Sequence, residues 1–223
     1  MSPGDGGERP RRGEVVINGP GHAVRPAGPA DVDALVEVLA RAFDDDPVPT
    51  WLFRGERRRR KGLRRFFAIQ LRHTYLTSGE VWTTDDRAGA SLWAPPDKGR
   101  PGWRDVARLL PVVPYLAGLG RDGAEAARLL GAVDAARPRE RHWYLATLGT
   151  DPGRQRTGVG SALVRAVLDR VDAEGLPAYL ESSKESNLAF YNRHGFEVTG
   201  EIHTPRGGPT LWLMWRRPRP PAA

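Results

Sequence analysis

Residues 143–161, Trp-Tyr-Leu-Ala-Thr-Leu-Gly-Thr-Asp-Pro-Gly-Arg-Gln-Arg-Thr-Gly-Val-Gly-Ser, decide the fold. The first six are a short apolar run of the kind that builds a buried strand. Gly149 to Thr157 mix Gly, Pro and polar residues, which makes a loop. Gly158-Val159-Gly160-Ser161 then open a helix, because Leu163, Ala166, Val167 and Val171 recur on one face. Gly175 and Pro177 stop that helix. Ala178-Tyr-Leu-Glu-Ser182 reads as the next strand, and Asn187 to His194 as a short helix with Gly195 just past its end. Strand, glycine-bearing loop, helix and strand form a βαβ-type unit, which places the chain in the α/β class.

The loop predicts an anion site. The first backbone N–H groups of a helix have no intrahelical partner and point outward. Gly158 and Gly160 lack a Cβ, so a phosphate can come close to the main chain, and Arg154 and Arg156 add positive charge. A pyrophosphate-bearing cofactor is expected; the same glycines would also serve a mere tight turn. The Rossmann fingerprint G-x-G-x-x-G is met only in part. Leu163 holds its third-glycine position, and the first glycine comes well after the strand. Glu181 does stand about 20 residues on, where a ribose-binding acid would be. The Gly-Lys-Ser/Thr of a P-loop is missing from this loop.

Outward from this unit the signals are local. Ala23 to Pro26 reads as a first strand, and Ala30-Asp31 opens a helix carrying Leu35, Val36, Leu39, Ala40 and Phe43 at helical spacing. Asp44-Asp45-Asp46-Pro47 ends it. Arg54 to Ser78 reads as a basic helix with Leu63, Phe66, Phe67, Leu71, Tyr75 and Leu76 on one stripe. Its run Arg57-Arg58-Arg59-Arg60-Lys61 is either a nucleic-acid or targeting patch or a solvated helix start. No aromatic is interleaved, which favours the second. Glu80 to Thr84 and Ala88 to Ala94 read as a hairpin, and residues 103–136 as two helices broken at Pro111, Pro114 and Gly118-Leu119-Gly120.

Composition narrows the chemistry. The 223 residues suffice for one sizeable core, and a 39% hydrophobic share fits a globular protein. No apolar run approaches the roughly 18 residues that cross a bilayer. Residues 1–21 are read as a disordered leader without the apolar region of a secretory signal, residues 22–217 as the folded domain, and 218–223 as a short tail. A cytoplasmic location follows as the expectation. Cysteine is absent, which removes disulfides, thiolate metal sites and acyl-cysteine intermediates. Any acyl transfer must therefore be direct or use another nucleophile. The net charge is +7, but all but three of the 34 basic residues are arginines spread along the chain, so the excess points weakly to a polyanionic partner. His73, His142 and His194 show no metal-ligand spacing, and no metal is assigned.

Two motifs carry a resemblance. Gln155-Arg156-Thr157-Gly158-Val159-Gly160 resembles the Q/R-x-x-G-x-G/A acetyl-CoA signature of the GNAT superfamily of N-acetyltransferases. Asn187-Leu-Ala-Phe-Tyr191-Asn-Arg-His-Gly195-Phe196 resembles its second signature. Arg25-Pro-Ala-x-x-x-Asp31 looks like the usual GNAT beginning, so the likeness covers about residues 22–217. Segments 143–150 and 180–196 and the Trp-bearing last strand look similar to puromycin N-acetyltransferase-like members. The resemblance implies a GNAT fold, with a mixed twisted central sheet and helices on both faces. It also implies transfer of acetyl from acetyl-CoA to a primary amine of a small molecule, an antibiotic or a metabolic amine.

The resemblance further implies roles. Gln155, Arg156, Thr157, Gly158, Val159, Gly160 and Ser161 would cradle the CoA pyrophosphate. Leu148, Gly149 and Thr150, in a strand that GNAT proteins splay or bulge, would offer main-chain groups to pantetheine and the thioester. Tyr191 would be the general acid for the departing thiolate, with Asn187 one turn earlier beside the cofactor. The usual acid on the strand before the loop is missing, since Trp143 to Thr150 hold none. Glu181, with Tyr179 on the same face by alternation, is the candidate base. It could instead bind the substrate's cation or form a structural ion pair. Asp44-Asp45-Asp46 could attract a cationic amine, with Trp51 and Phe53 as apolar walls, or could be solvated. Neither a membrane nor nucleic acid is expected as a partner, and the chain is taken as monomer or homodimer. The rival readings are a non-catalytic acyl-CoA sensor and a protein N-acetyltransferase.

Overall fold

The computed structural model describes residues 16–17, 22–53, 55–96, 121–204 and 207–219. Among the described residues eight strands form one sheet: β1 (Val16–Ile17), β2 (Ala23–Pro26), β3 (Glu80–Thr84), β4 (Gly89–Ala94), β5 (Trp143–Thr150), β6 (Ala178–Ser182), β7 (Glu197–His203) and β8 (Thr210–Arg216). Their order is β1-β2-β3-β4-β5-β6-β8-β7. Only β5 and β6 run parallel, so the sheet is mixed, and the βαβ unit read from residues 143–182 sits at its centre. The helices are α1 (Val32–Ala42), α2 (Pro47–Leu52), α3 (Glu56–Ile69), α4 (Arg121–Ala136), α5 (Val159–Ala173) and α6 (Leu188–Arg193).

Two cores flank the sheet, because apolar stripes of helices must be buried against its faces. On one side Leu35 and Leu39 of α1 and Leu63 and Phe67 of α3 pack with Val81, Ala90 and Leu92. On the other, Val164, Val167, Leu168 and Val171 of α5 and Tyr191 of α6 pack with Trp93, Trp143, Leu145, Leu180 and Met214. The architecture is the α/β arrangement with helices on both faces that the sequence implies.

Local chemistry sets the corners. Asp31 has a side chain only 5% exposed, held by Arg25 in a two-pronged pair at 2.8 Å, by Arg87, and by the Gly28 N–H. It thereby ties β2 to the start of α1. Asp46 accepts the Val48 N–H at 3.0 Å and caps α2, with Pro47 at the first helical position. The Asp-Pro sequence that ends α1 therefore also starts a short helix that the periodicity did not reveal.

Other differences have physical reasons. The basic helix continues from α3 through a π-helical turn, Gln70–Tyr75, to Leu76–Ser78. Within it Leu63, Phe67, Leu71 and Tyr75 are buried, but Phe66 is 38% exposed and leaves the stripe. Val16 and Ile17, inside the stretch read as a leader, pair with β2 as an outer strand. β7 was not anticipated; its residues are largely exposed on an outer strand that pairs only with β8, so it lacks an apolar signature. Of residues 103–136, α4 is described as one helix. The first of the two expected helices, Arg54, the remainder of 1–21 and residues 220–223 lie outside the described residues.

Candidate active site

The parallel pair at the sheet centre is incomplete. β5 and β6 pair only at Trp143↔Ala178 and Tyr144↔Tyr179, although both strands continue. The separation coincides with an irregularity on the other edge of β5. Leu92 faces Thr147 while Trp93 faces Leu145, so Ala146 is an extra residue without a partner on β4. Such a bulge bends the strand and increases its twist. It also reverses the side-chain alternation: Ala146 packs with the α1/α3 core, yet Leu148, two residues on, packs with the α5 core.

The register says which main-chain groups face the gap. Asp151 N–H donates to the Ala88 carbonyl at 2.8 Å, and Gly149 and Thr147 follow it at the alternate positions turned to β4. Leu148 and Thr150 therefore turn their main chain toward the space that β6 has left. Of the three residues expected there, Gly149 has a different duty. A Cβ on it would stand 2.6 Å from Leu39 and 3.2 Å from Phe43, so it lets α1 close on the strand. The bulge itself lies at Ala146, before the three.

The loop after β5 is exposed from Pro152 to Gly158 and tightly turned. Arg156 adopts φ 63° and Gly158 φ 98°, both left-handed. A left-handed arginine is uncommon enough to indicate that the loop is held, not merely flexible. Its ties are visible: Thr157 Oγ1 donates to the Arg154 carbonyl at 2.7 Å, His22 Nε2 bonds the Thr157 carbonyl at 2.9 Å, and Gln155 Nε2 donates to the Thr150 carbonyl at 3.4 Å. No side chain caps α5, which leaves its first-turn amides at Val159, Gly160 and Ser161 open at the mouth of the gap. Arg154 is engaged by Asp86 at 2.8 Å, so of the two loop arginines Arg156 is the one with no ion pair among the described residues.

On the α6 side, Tyr191 is buried between Phe190 and Phe196, and burial together with the nearby Asp46 carboxylate pushes its hydroxyl up. Asn187, just before α6, is exposed. His194 bonds Ser161 Oγ at 3.1 Å; burial and four surrounding arginines lower its imidazole to about 4, so it is neutral. Gly195 follows with φ 86°, the left-handed end expected of it.

Glu181 lies on β6 just past the last rung, level with Ala146 by the strand register. It shares a face with Tyr179, as alternation requires, and that face is turned away from α5. Tyr144 donates to its Oε2 at 2.7 Å, whereas Oε1 is buried without a hydrogen-bond partner. Burial raises the carboxyl above its ordinary range, against the lowering effect of the Tyr144 hydroxyl, the Arg137 guanidinium and the Tyr179 hydroxyl. It is no ordinary structural ion pair: no Arg or Lys among the described residues lies within bridging distance of it. Tyr75 and Arg137, both close enough to be felt electrostatically, complete the surroundings. Tyr144 stands in the opening quotation but its role required the sheet register; Arg137, one residue past α4, carried no sequence signal.

The acidic triplet is fully engaged. Asp44 pairs with Arg59 and Arg60, Asp45 with Lys184, and Asp46 accepts from Ser183 Oγ at 2.6 Å. Those partners also absorb part of the basic run, whose remaining charge is solvated. Phe53 is buried and Trp51 half-buried, Trp51 lying against Gly208. No group of metal-binding side chains occurs among the described residues, and no described helix is long and apolar enough to cross a membrane.

Known proteins share this arrangement. The profile of the Acetyltransferase (GNAT) family matches residues 91–196, which span β4 to the end of α6. An uncharacterised N-acetyltransferase of Schizosaccharomyces pombe is 30% identical over 207 residues, covering 84% of this chain and 80% of its own length. A Corynebacterium glutamicum structure described as histone acetyltransferase HPA2 and related acetyltransferase is 28% identical, with a TM-score of 0.64 over 91% of this chain and 99% of that one. Arylalkylamine N-acetyltransferase 2 from Aedes aegypti, at 13% identity, shares the fold with a TM-score of 0.59 over 88% and 98% of the two chains. On the matching family profile and the relative that is 30% identical over most of both chains, the chain belongs to the GNAT family of acetyltransferases.

Proposed function

We propose that the chain transfers the acetyl group of acetyl-CoA directly to the primary amine of a small molecule, in the cytoplasm. The observation that carries the reading is the coincidence of two features at one level of the sheet. The β5–β6 rungs end where Ala146 bulges, and Glu181 stands there with one carboxylate oxygen uncommitted.

Acetyl-CoA supplies a thioester whose C–S bond breaks as the N–C bond to the acceptor forms. The main chain of Leu148 and Thr150 hydrogen-bonds the pantetheine arm, and a free N–H there polarises the thioester carbonyl, a contribution of about 3 kcal/mol. The amides from Arg156 to Ser161 hold the pyrophosphate, helped by the Arg156 charge and by Gln155 and Thr157 as struts of the loop. Asn187 lies along the cosubstrate, and Tyr191 gives its proton to the departing sulfur. The incoming amine, with a pKa near ~10, arrives as ammonium and must lose a proton. A carboxyl raised by burial is a better acceptor for that proton than an exposed one, which suits Glu181. The aromatic surroundings, Tyr75, Tyr144 and Tyr179, suit one small cation, not a protein surface. Likeness to puromycin N-acetyltransferase-like members adds antibiotic amines to the acceptors worth trying.

The test is thiol release from acetyl-CoA across a panel of amines, including puromycin, aminoglycosides, arylalkylamines and amino acids, with a lysine-rich protein as contrast. Saturable release with a small amine bears the reading out. Release only with the protein acceptor, or none while acetyl-CoA still raises the melting temperature, sinks it.

A further inference from the structure

Three buried polar atoms outside hydrogen-bond distance of a partner among the described residues come from one cluster: Arg137 Nε, Tyr179 Oη and Glu181 Oε1, the last two near enough that the Tyr179 hydroxyl favours the ionised carboxyl. The cluster is organised around Tyr144. The Arg137 guanidinium lies over the face of its ring, 4.2 Å from the centroid, while its hydroxyl donates to Glu181 Oε2 at 2.7 Å. A cation and an anion are thus held at two places on one aromatic side chain. They are near enough to influence each other, yet no ion pair joins them. Buried opposite charges in that situation ordinarily close on each other. Here Tyr144 keeps them apart, and a cavity of about 600 Å³, lined by Arg137, Arg139, Glu140, Arg141, His142 and Tyr144 but not by Glu181 itself, opens beside the guanidinium. Tyr179 stacks on Tyr144 at 6.0 Å and meets Trp215 in a tilted contact at 6.4 Å, which gives the cluster aromatic walls.

The planar fork of a guanidinium matches a carboxylate with two parallel hydrogen bonds, and a free carboxylate oxygen matches an ammonium. We propose that the acetyl acceptor carries a carboxylate as well as its amine, with Arg137 binding the carboxylate and Glu181 receiving the amine. The substrate class is the amino acids and other amine-bearing carboxylic acids. The proposal rests on Glu181 being the amine's site in the transfer reaction, and narrows it.

Matched pairs test this: phenylalanine against phenethylamine, leucine against isoamylamine, and β-alanine against ethylamine, each followed by thiol release from acetyl-CoA. At least one carboxylate-bearing member should have a kcat/KM higher than its partner by about tenfold or more, since a site built around a polar group rejects the analogue lacking it. In Arg137→Gln that ratio should fall to near one through a rise in KM, and Arg137→Lys should keep part of it. Equal or better turnover of the carboxylate-free members overturns the proposal while leaving the transferase intact. So does a preference that survives in Arg137→Gln. Should neither variant fold, competition in the wild-type protein decides: 3-phenylpropionate must inhibit competitively against the amine, and indifference to it overturns the proposal. Should no amine turn over, calorimetric titration of the CoA-saturated protein with the same pairs separates the two ideas. Binding confined to the carboxylate-bearing members keeps the acceptor site and fails the transferase; no binding by them overturns the proposal.

Discussion

Burial acts on Glu181, Tyr191 and His194 alike, but its consequence depends on which form of each group is charged. It raises the carboxyl and the phenol and lowers the imidazole. A phenol held protonated is suited to giving a proton only when a strong acceptor such as a thiolate is generated beside it. Tyr191→Phe should therefore lower kcat by about 10²-fold, with little change in the KM for acetyl-CoA, in steady-state kinetics. A raised carboxyl must first ionise to accept a proton. The kcat/KM profile should rise with pH through a value above that of an exposed glutamate, and Glu181→Gln should remove that limb. His194 makes a stability prediction. Its imidazole titrates near 6.5 unfolded and at about 4 folded, so between those values the unfolded chain binds a proton that the folded chain refuses. Its stabilising contribution is present above 6.5 and lost as the pH falls toward 4. Denaturant titrations at a series of pH values should show that slope, and His194→Gln should flatten it.

At the scale of the element, β5 is governed by its one supernumerary residue. Gly149 is pinned between that strand and α1, so Gly149→Ala should push the helix outward and cost about 1–3 kcal/mol of stability, read as a lower melting temperature, and should weaken acetyl-CoA binding as well. The βαβ unit, the α5 stripe and the Gly195 terminus were legible because period, glycine placement and motif spacing are local. The loop amides were legible as an anion site from the glycines that open a helix, whereas Leu148 and Thr150 entered only through the family motif. The bulge at Ala146 was not, since the run Trp-Tyr-Leu-Ala-Thr-Leu is equally apolar on both sides and hides a reversal of alternation. β7 escaped notice because its pattern follows exposure. Arg137 and Tyr144 escaped because elements distant in sequence bring them to Glu181.

For the whole molecule the question is what a net charge of +7 does. In the basic run, Arg59 and Arg60 are committed to Asp44, and further along α3 Arg64 is committed to Glu37. Charge spent on internal partners is not available to phosphates, so retention on double-stranded DNA should vanish by about 0.15 M salt in a filter-binding assay. The same salt should weaken acetyl-CoA binding only modestly if, as proposed, amides and not a field of free cations hold its pyrophosphate. The sheet itself carries a further implication. Among the described residues, two rungs are the only main-chain ladder between the strands β1 to β5 and the group β6, β8 and β7. Pantetheine threaded along Leu148 and Thr150 would act as a replacement for the rungs that are absent, a suture drawn across a seam. On the proposed reading the cosubstrate would be a structural member on loan, and each turnover would leave the seam to its two rungs and the core that packs across it.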